Sequence, residues 1–218
     1  MGTGRSGIPK GIKNTTSQLY KNWQNRHTAE DDLRIDIAKW DKVKSQDSHD
    51  ALQKYTGSYY MTSNPILRDN AYAHLSAAEV LDRITKTEGA SFVKWVKDMD
   101  KGLNSYENTV SFIGYRGAGY SLLGGRKTYD ELKAMVGRTV HDTGHMSIST
   151  VKGSEFSREV IYEVRVPTGK GIGAYIGKLS HHKSEAEFLF NRGTIFKIVK
   201  VRKQGQKPVV TLEVYGRY

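Results

Sequence analysis

The chain changes texture near Asn104, and that change limits its fold more than any other feature. Before it, apolar residues recur at helical spacing: Leu33, Ile35, Ile37, Ala38 and Trp40, then Ala77, Ala78, Val80, Leu81 and Ile84, then Phe92, Trp95 and Val96. After it, they alternate with polar residues or run in short blocks bounded by Gly and Pro. Helices first and strands afterwards is the pattern of an α+β domain rather than of repeated βαβ units.

The spacing predicts a helix opening at Thr28-x-x-Asp31, a second over about 48–55 that stops at Gly57, and others near 58–69, 76–86 and 88–99. Strands are predicted at Val110–Tyr115, His145–Thr150, Val160–Pro167, Glu187–Phe190, Thr194–Arg202 and Val209–Val214. Residues 1–26 read as a basic, flexible arm. Residues 27–218 read as a single domain with a helical part (27–104) and a β-rich core (105–218).

The net charge of +11 sits entirely on the two ends. Residues 1–26 contribute +5 and residues 191–218 contribute +6, while 27–190 is neutral with 22 bases and 22 acids. Basic ends suit nucleic acid, a ribosome or an acidic protein, and equally serve solubility. With no cysteine, disulfides, a thiol nucleophile and a Cys-based zinc site are excluded. Met1 to Lys13 has no apolar signal core and no stretch approaches a membrane span, which predicts a monomeric cytoplasmic protein without membrane contact.

Three short motifs bear on chemistry: Tyr115-Arg116-Gly117, Asp142-Thr-Gly-His-Met-Ser147-Ile-Ser149-Thr150, and Glu185-Ala186-Glu187 before an apolar block and Arg192-Gly193. On a strand, Glu185 and Glu187 share a face, roughly 7 Å apart. Alone, such a pair is as well read as a charged strand end. His181-His182 invites a metal reading, but neighbouring strand residues face opposite ways, so no metal is expected. Gly117-x-Gly119 and Gly171-x-Gly173 lack the strand–helix context of a phosphate loop.

In this order the motifs resemble those of the mono-ADP-ribosyltransferases of the Arg–Ser–Glu type, which include clostridial exoenzymes, the enzymatic halves of binary toxins and small phage transferases. The stretch from Ala51 through Tyr55-Thr-Gly57, Tyr60 and Asn64 to Arg68 resembles the helical segment before their core. Gly173-Ala-Tyr175-Ile-Gly177 resembles their target-recognition turn, and the likeness spans roughly 30–200. One departure is Ser-Ile-Ser where the family has Ser-Thr-Ser; Ile148 can face the core at little cost.

The resemblance implies N-terminal helices on a two-sheet mixed β-sandwich, and transfer of ADP-ribose from NAD with release of nicotinamide. It assigns Glu187 to the ribose and its developing positive charge. Arg116, with Gly117, is assigned to a phosphate or ribose oxygen of NAD, although a salt bridge to a core acid is an alternative. Ser147 would orient Glu187, or be a simple strand hydroxyl. Arg68 matches a phosphate-contacting position, against an exposed helix arginine; Asn64, Tyr60, Phe156 and Arg158 complete the NAD set. Glu185 implies arginine as acceptor, because a guanidinium attacks only as it loses a proton and a neighbouring carboxylate can take it.

The implied partners are NAD and an arginine-containing protein, ribosomal or transcriptional, with nucleic acid contact through the basic ends. The alternatives are a basic RNA- or ribosome-binding protein on an inactive transferase core, and an NAD glycohydrolase. The small basic chain suits a phage effector acting inside a bacterium, or a toxin fragment delivered by other machinery.

Overall fold

A computed structural model describes residues 19–72, 74–154 and 157–217. Helix α1 (Arg26–Val43) begins at an Asn25 cap, whose side chain accepts from the Thr28 N–H. The Thr28 start expected from sequence is therefore three residues late. Its buried stripe is Ala29, Leu33, Asp36, Ile37 and Trp40. Helix α2 (Gln46–Lys54) does not stop at Gly57: a π-helical turn (Tyr55–Tyr59) carries the chain straight into α3 (Tyr60–Leu67). A mid-helix glycine costs only about 1 kcal/mol, which the burial of Tyr55 and Thr56 beside it offsets.

The two helices expected at 76–86 and 88–99 form α4 (Ala77–Ser105), broken at Gly89 (φ 81°, ψ 167°) and opened by a Ser76–Glu79 capping box. The Trp40 indole donates to the Gly102 carbonyl at 2.8 Å and that of Trp95 to Ala51 at 3.1 Å, locking α1 and α2 onto α4.

The strands are β1 (Glu107–Asn108), β2 (Phe112–Ala118), β3 (Thr139–Asp142), β4 (Ser147–Ser149), β5 (Val160–Val166), β6 (Gly169–Lys170), β7 (Gly173–Tyr175), β8 (Glu187–Phe190), β9 (Thr194–Gln204) and β10 (Lys207–Arg217). A short helix, α5 (Tyr129–Lys133), lies between β2 and β3. Strands β1 and β6 pair alone, and the other eight form one mixed ladder, β3-β9-β10-β5-β2-β4-β8-β7, in which only β5 and β10 run parallel. Gly173–Tyr175, read as part of a recognition turn, is the buried edge strand β7.

The ladder folds back into two layers. Strands β8 and β9 stand five places apart, about 24 Å if the sheet were flat, yet only residues 191–193 join them and can span about 14 Å. Phe188 accordingly stacks edge-on against Phe112 of β2 (5.3 Å) and Phe190 against Phe196 of β9 (5.2 Å). The fold line is a seam between β2 and β4, held by a single residue pair, Tyr115 with Ser149.

Residues 19–25, placed in the arm by their composition, belong to the folded body and fill this seam. Lys21 bridges to Phe112 and Trp23 to Val151, with the Trp23 ring 5.0 Å from that of Phe112. The rest of the expected arm, 1–18, lies outside the described residues.

Candidate active site

A cleft of about 910 Å³ opens over the seam, between the β2 and β4 ends and the α2–α3 helices. That volume lies at the upper end of what small-molecule sites occupy. Strand β2 supplies Arg116 and Gly117, β4 supplies Ser147, β8 supplies Glu187, and α3 with the turn after it supplies Asn64 and Arg68.

Glu185 reaches the cleft by a route the strand pattern did not predict. It ends a 3₁₀ turn (Lys183–Glu185), Ala186 then adopts a left-handed conformation (φ 46°, ψ 51°), and the strand begins only at Glu187. Strand alternation therefore does not relate the two acids; a bend does. A non-glycine residue in that region costs on the order of 1–3 kcal/mol and persists only where neighbours enforce it. Here the Thr150 N–H and hydroxyl both donate to the Ala186 carbonyl, at 3.0 and 2.9 Å. The result sets Glu187 in the buried floor and Glu185 half-exposed nearer the mouth.

Glu187 is 7% exposed. Burial, with the Glu185 charge adding to it, raises its pKa from 4.5 to about 7, against hydrogen bonds from Ser147 and Ser180 and the pull of Arg116. Among the described residues Arg116 forms no salt bridge to a core acid: its Nη1 donates to the Ser147 carbonyl at 2.7 Å and to the Ser147 hydroxyl at 3.2 Å. Burial and the nearby Arg68 guanidinium pull its pKa below the ordinary arginine value. Ser147 thus stands between Arg116 and Glu187.

Arg68 is not a free helix arginine. Its Nε and Nη2 fork onto Asp142 at 2.7 and 2.8 Å, and Nη2 also donates to the His145 carbonyl at 2.7 Å. Burial alone would lower the Arg68 pKa, but the Asp142 charge outweighs it and raises it. Asp142 is likewise held below the usual carboxylate range despite its burial, by Arg68 and the Gly144 N–H. Asn64 works largely inward: it accepts from the His145 N–H at 3.0 Å and donates to the Tyr55 hydroxyl at 3.0 Å.

Tyr60, 40% exposed, and Arg158, also exposed, line the rim. Phe156 lies outside the described residues. His181 and His182 are both exposed, and His182 borders the cleft. Among the described residues, no group of three or more His, Asp or Glu side chains could hold a metal.

Four contributors went unread in the sequence: Tyr55 and Asp142, which brace the arginine and amide above, Ser180 on Glu187, and Tyr115, whose hydroxyl reaches Asn22 at 2.8 Å. Asp142 sits in a quoted motif and a charge partner for Arg68 could have been sought there. Ser180 carries no local signal.

Residues 14–215 match the ADP-ribosyltransferase exoenzyme family model. Among curated proteins, the mono(ADP-ribosyl)transferase SpvB of Salmonella typhimurium strain 14028s is 27% identical over 181 residues, 78% of this chain and 30% of that protein. SpvB of Salmonella dublin matches to the same extent. The chain therefore spans about 30% of the length of the curated relatives it matches.

In solved structures the fold matches the C3 exoenzyme of Clostridium limosum (TM-score 0.75, 21% identity, 91% of this chain and 98% of that one). It also matches C3stau2 of S. aureus, solved with NAD (TM-score 0.75, 18% identity, 92% and 100%). A third match is the toxin Plx2a of Paenibacillus larvae (TM-score 0.73, 18% identity, 91% and 100%). At these identities the structural matches speak for the fold alone. With nearly its whole length under the family model, this chain belongs to the ADP-ribosyltransferase exoenzyme family.

Proposed function

We propose that the protein is an NAD-dependent mono-ADP-ribosyltransferase acting on arginine side chains of a target protein. The observation that carries this reading is the pair of carboxylates in one cleft. Glu187 is buried beside Ser147, Ser180 and Arg116, and Glu185 stands nearer the entrance.

In this reading, the bond between nicotinamide and the ribose breaks and positive charge builds on the ribose carbon. Ionised Glu187 stabilises that charge across a floor from which water is largely excluded. The nicotinamide leaves with the bonding pair, and an acceptor guanidine nitrogen attacks the opposite face of the ribose. Glu185 takes the proton that this nitrogen releases. Arg116 and Arg158 supply positive charge for the pyrophosphate of NAD, and Gly117 lets the dinucleotide approach the backbone closely. Arg68, already paired with Asp142, offers its remaining N–H groups at nearly neutral net charge. The inactive-core alternative is not favoured, because Arg116, Ser147, Glu185 and Glu187 all line one cleft.

Labelled NAD incubated with the protein and a cell lysate should mark discrete proteins. Replacing Glu187→Gln should lower that labelling at least about a hundredfold, the scale of losing one transition-state contact in a dry site. Undiminished labelling by the variant would remove Glu187 from the mechanism. Neither label nor free nicotinamide from the parent protein would overturn the transferase reading.

A further inference from the structure

The two acids of the cleft are fixed by different parts of the fold. Glu187 belongs to the ladder: it stands opposite Ser149 in register, and its carbonyl accepts from the Ile176 N–H at 2.9 Å. Ser147 and Ser180 hydrogen-bond its side chain. Glu185 lies outside the strand, and its N–H is tied within its own turn, to the His182 carbonyl at 3.0 Å. Where Glu185 stands therefore depends on the conformation of the residue between the two acids, Ala186.

Ala186 is fully buried and left-handed (φ 46°), and the neighbour that holds it is Thr150. Residues 150 and 186 would extend the β4–β8 register by one step beyond Ser149 and Glu187. A regular antiparallel pair at this step exchanges two hydrogen bonds, one in each direction. The Thr150 N–H makes its half, to the Ala186 carbonyl at 3.0 Å. The Ala186 N–H turns away to the Lys183 carbonyl at 3.5 Å, longer than a normal hydrogen bond. The Thr150 hydroxyl replaces the missing bond, donating to the same Ala186 carbonyl at 2.9 Å. Thr150 is itself fully buried, so this donor is shielded from water.

We propose that Thr150 is a positioning residue for Glu185: by clamping the bend at Ala186, it sets how the protein divides NAD between transfer to arginine and hydrolysis. This rests on the arginine-transfer reading. In both reactions the nicotinamide leaves with the bonding pair and Glu187 faces the charge on the ribose. In transfer, the new bond to the ribose carbon comes from a guanidine nitrogen, whose proton passes to Glu185. In hydrolysis it comes from a water oxygen, whose proton passes to solvent. The first needs Glu185 in place and the second does not, so displacing Glu185 favours water. The strain of a left-handed alanine and the strength of two hydrogen bonds are of similar size, so loss of one bond tips the balance at the bend.

The test compares label transferred from NAD to lysate proteins with nicotinamide released in the absence of lysate. Both are read at a pH well above 7, where Glu187 is ionised in every variant. Thr150→Val keeps the side-chain shape and removes the hydroxyl. It should lower the ratio of transfer to release on the order of fivefold, the worth of one hydrogen bond. Thr150→Ser keeps the donor and should hold the ratio near the parent value. Adding Ala186→Gly to Thr150→Val should recover the ratio, because glycine takes the left-handed conformation without strain. A ratio unchanged in Thr150→Val overturns the clamp. So does a loss that Thr150→Ser shares, or one that Ala186→Gly leaves as it was, since either marks general damage rather than a displaced Glu185.

If the parent protein labels no lysate protein, it is the transfer reading that fails, and the clamp is decided without turnover. Burial first, and then the Glu185 charge, raise the Glu187 pKa to about 7. In Thr150→Val the Glu185 charge moves off, so carboxyl carbon NMR should show Glu187 titrating at lower pH, as in Glu185→Gln. A midpoint that stays at the parent value overturns the clamp.

Discussion

In the proposed reaction Glu187 meets two opposed demands. Stabilising a cation requires the carboxylate, while its burial favours the acid, and a pKa of about 7 leaves the two forms near balance at neutral pH. Nicotinamide release should therefore rise with pH through about 7. The Glu185 charge contributes to that elevation, so Glu185→Gln should move the limb to lower pH while abolishing transfer to arginine. A pH profile of nicotinamide release by the variant checks both, and an unmoved limb or retained protein labelling would separate Glu185 from this role. The stability sign follows from the same shift. Between pH 4.5 and about 7 the folded state holds a proton that the unfolded chain releases. Glu187 thus withdraws stability as pH rises across that window, on the order of 3 kcal/mol in all. The cost is that of keeping a charge-stabilising group dry, and the bent Ala186 adds to it.

At the scale of elements, the seam between β2 and β4 concentrates the fold's close tolerances. A Cβ on Gly114 would stand 2.2 Å from Ile148 Cδ1 and 3.1 Å from the Ser149 carbonyl, so β2 approaches β4 only because position 114 has no side chain. Gly114→Ala should cost about 1–3 kcal/mol and part of the activity, and Ile148→Ala in the same chain should recover a portion by vacating the contact. Thermal melts and nicotinamide release read both effects; additive losses would place the strain elsewhere. This seam is where sequence reading runs out. Strand β5 was legible because Val160, Tyr162, Val164 and Val166 alternate with half-buried neighbours, and β8 because it is apolar on both faces. The seam rests on one cross-strand pair and on Trp23, far along the chain from both strands, and neither leaves a periodic trace. The π-helical turn hid for a related reason, since Gly57 signals a stop locally and tertiary burial overrides it. Arg116, Ser147 and Glu187, which line one cleft, could be singled out as candidates because their motifs are short and ordered. Ser180 and Asp142 escaped because only folding brings them to their partners.

For the whole molecule, the basic ends of the sequence separate into parts with different work. Arg192 and Arg217 join the interior, with Arg192 spanning Asp100 and the Ala77 carbonyl, while Lys200 and Lys203 remain exposed. At the other end Lys21 and Trp23 bridge onto Phe112 and Val151. A truncation probing the basic arm should therefore end at residue 18. Removal of residues 1–25 should cost about 3–5 kcal/mol more than removal of 1–18, because it takes Trp23 from the seam. Comparing denaturation midpoints of the two truncated chains checks this, and equal midpoints would show that Trp23 contributes nothing. The seam also governs how the protein fails. Arg116 stands on one layer and Ser147 and Glu187 on the other, and Tyr115 with Ser149 is the one ladder rung between them. The Arg116–Ser147 hydrogen bonds, Trp23 and the Phe112–Phe188 contact join the same two layers, so the groups that line the cleft are also the ones that hold its walls together, and loss of the site on heating should coincide with loss of the seam.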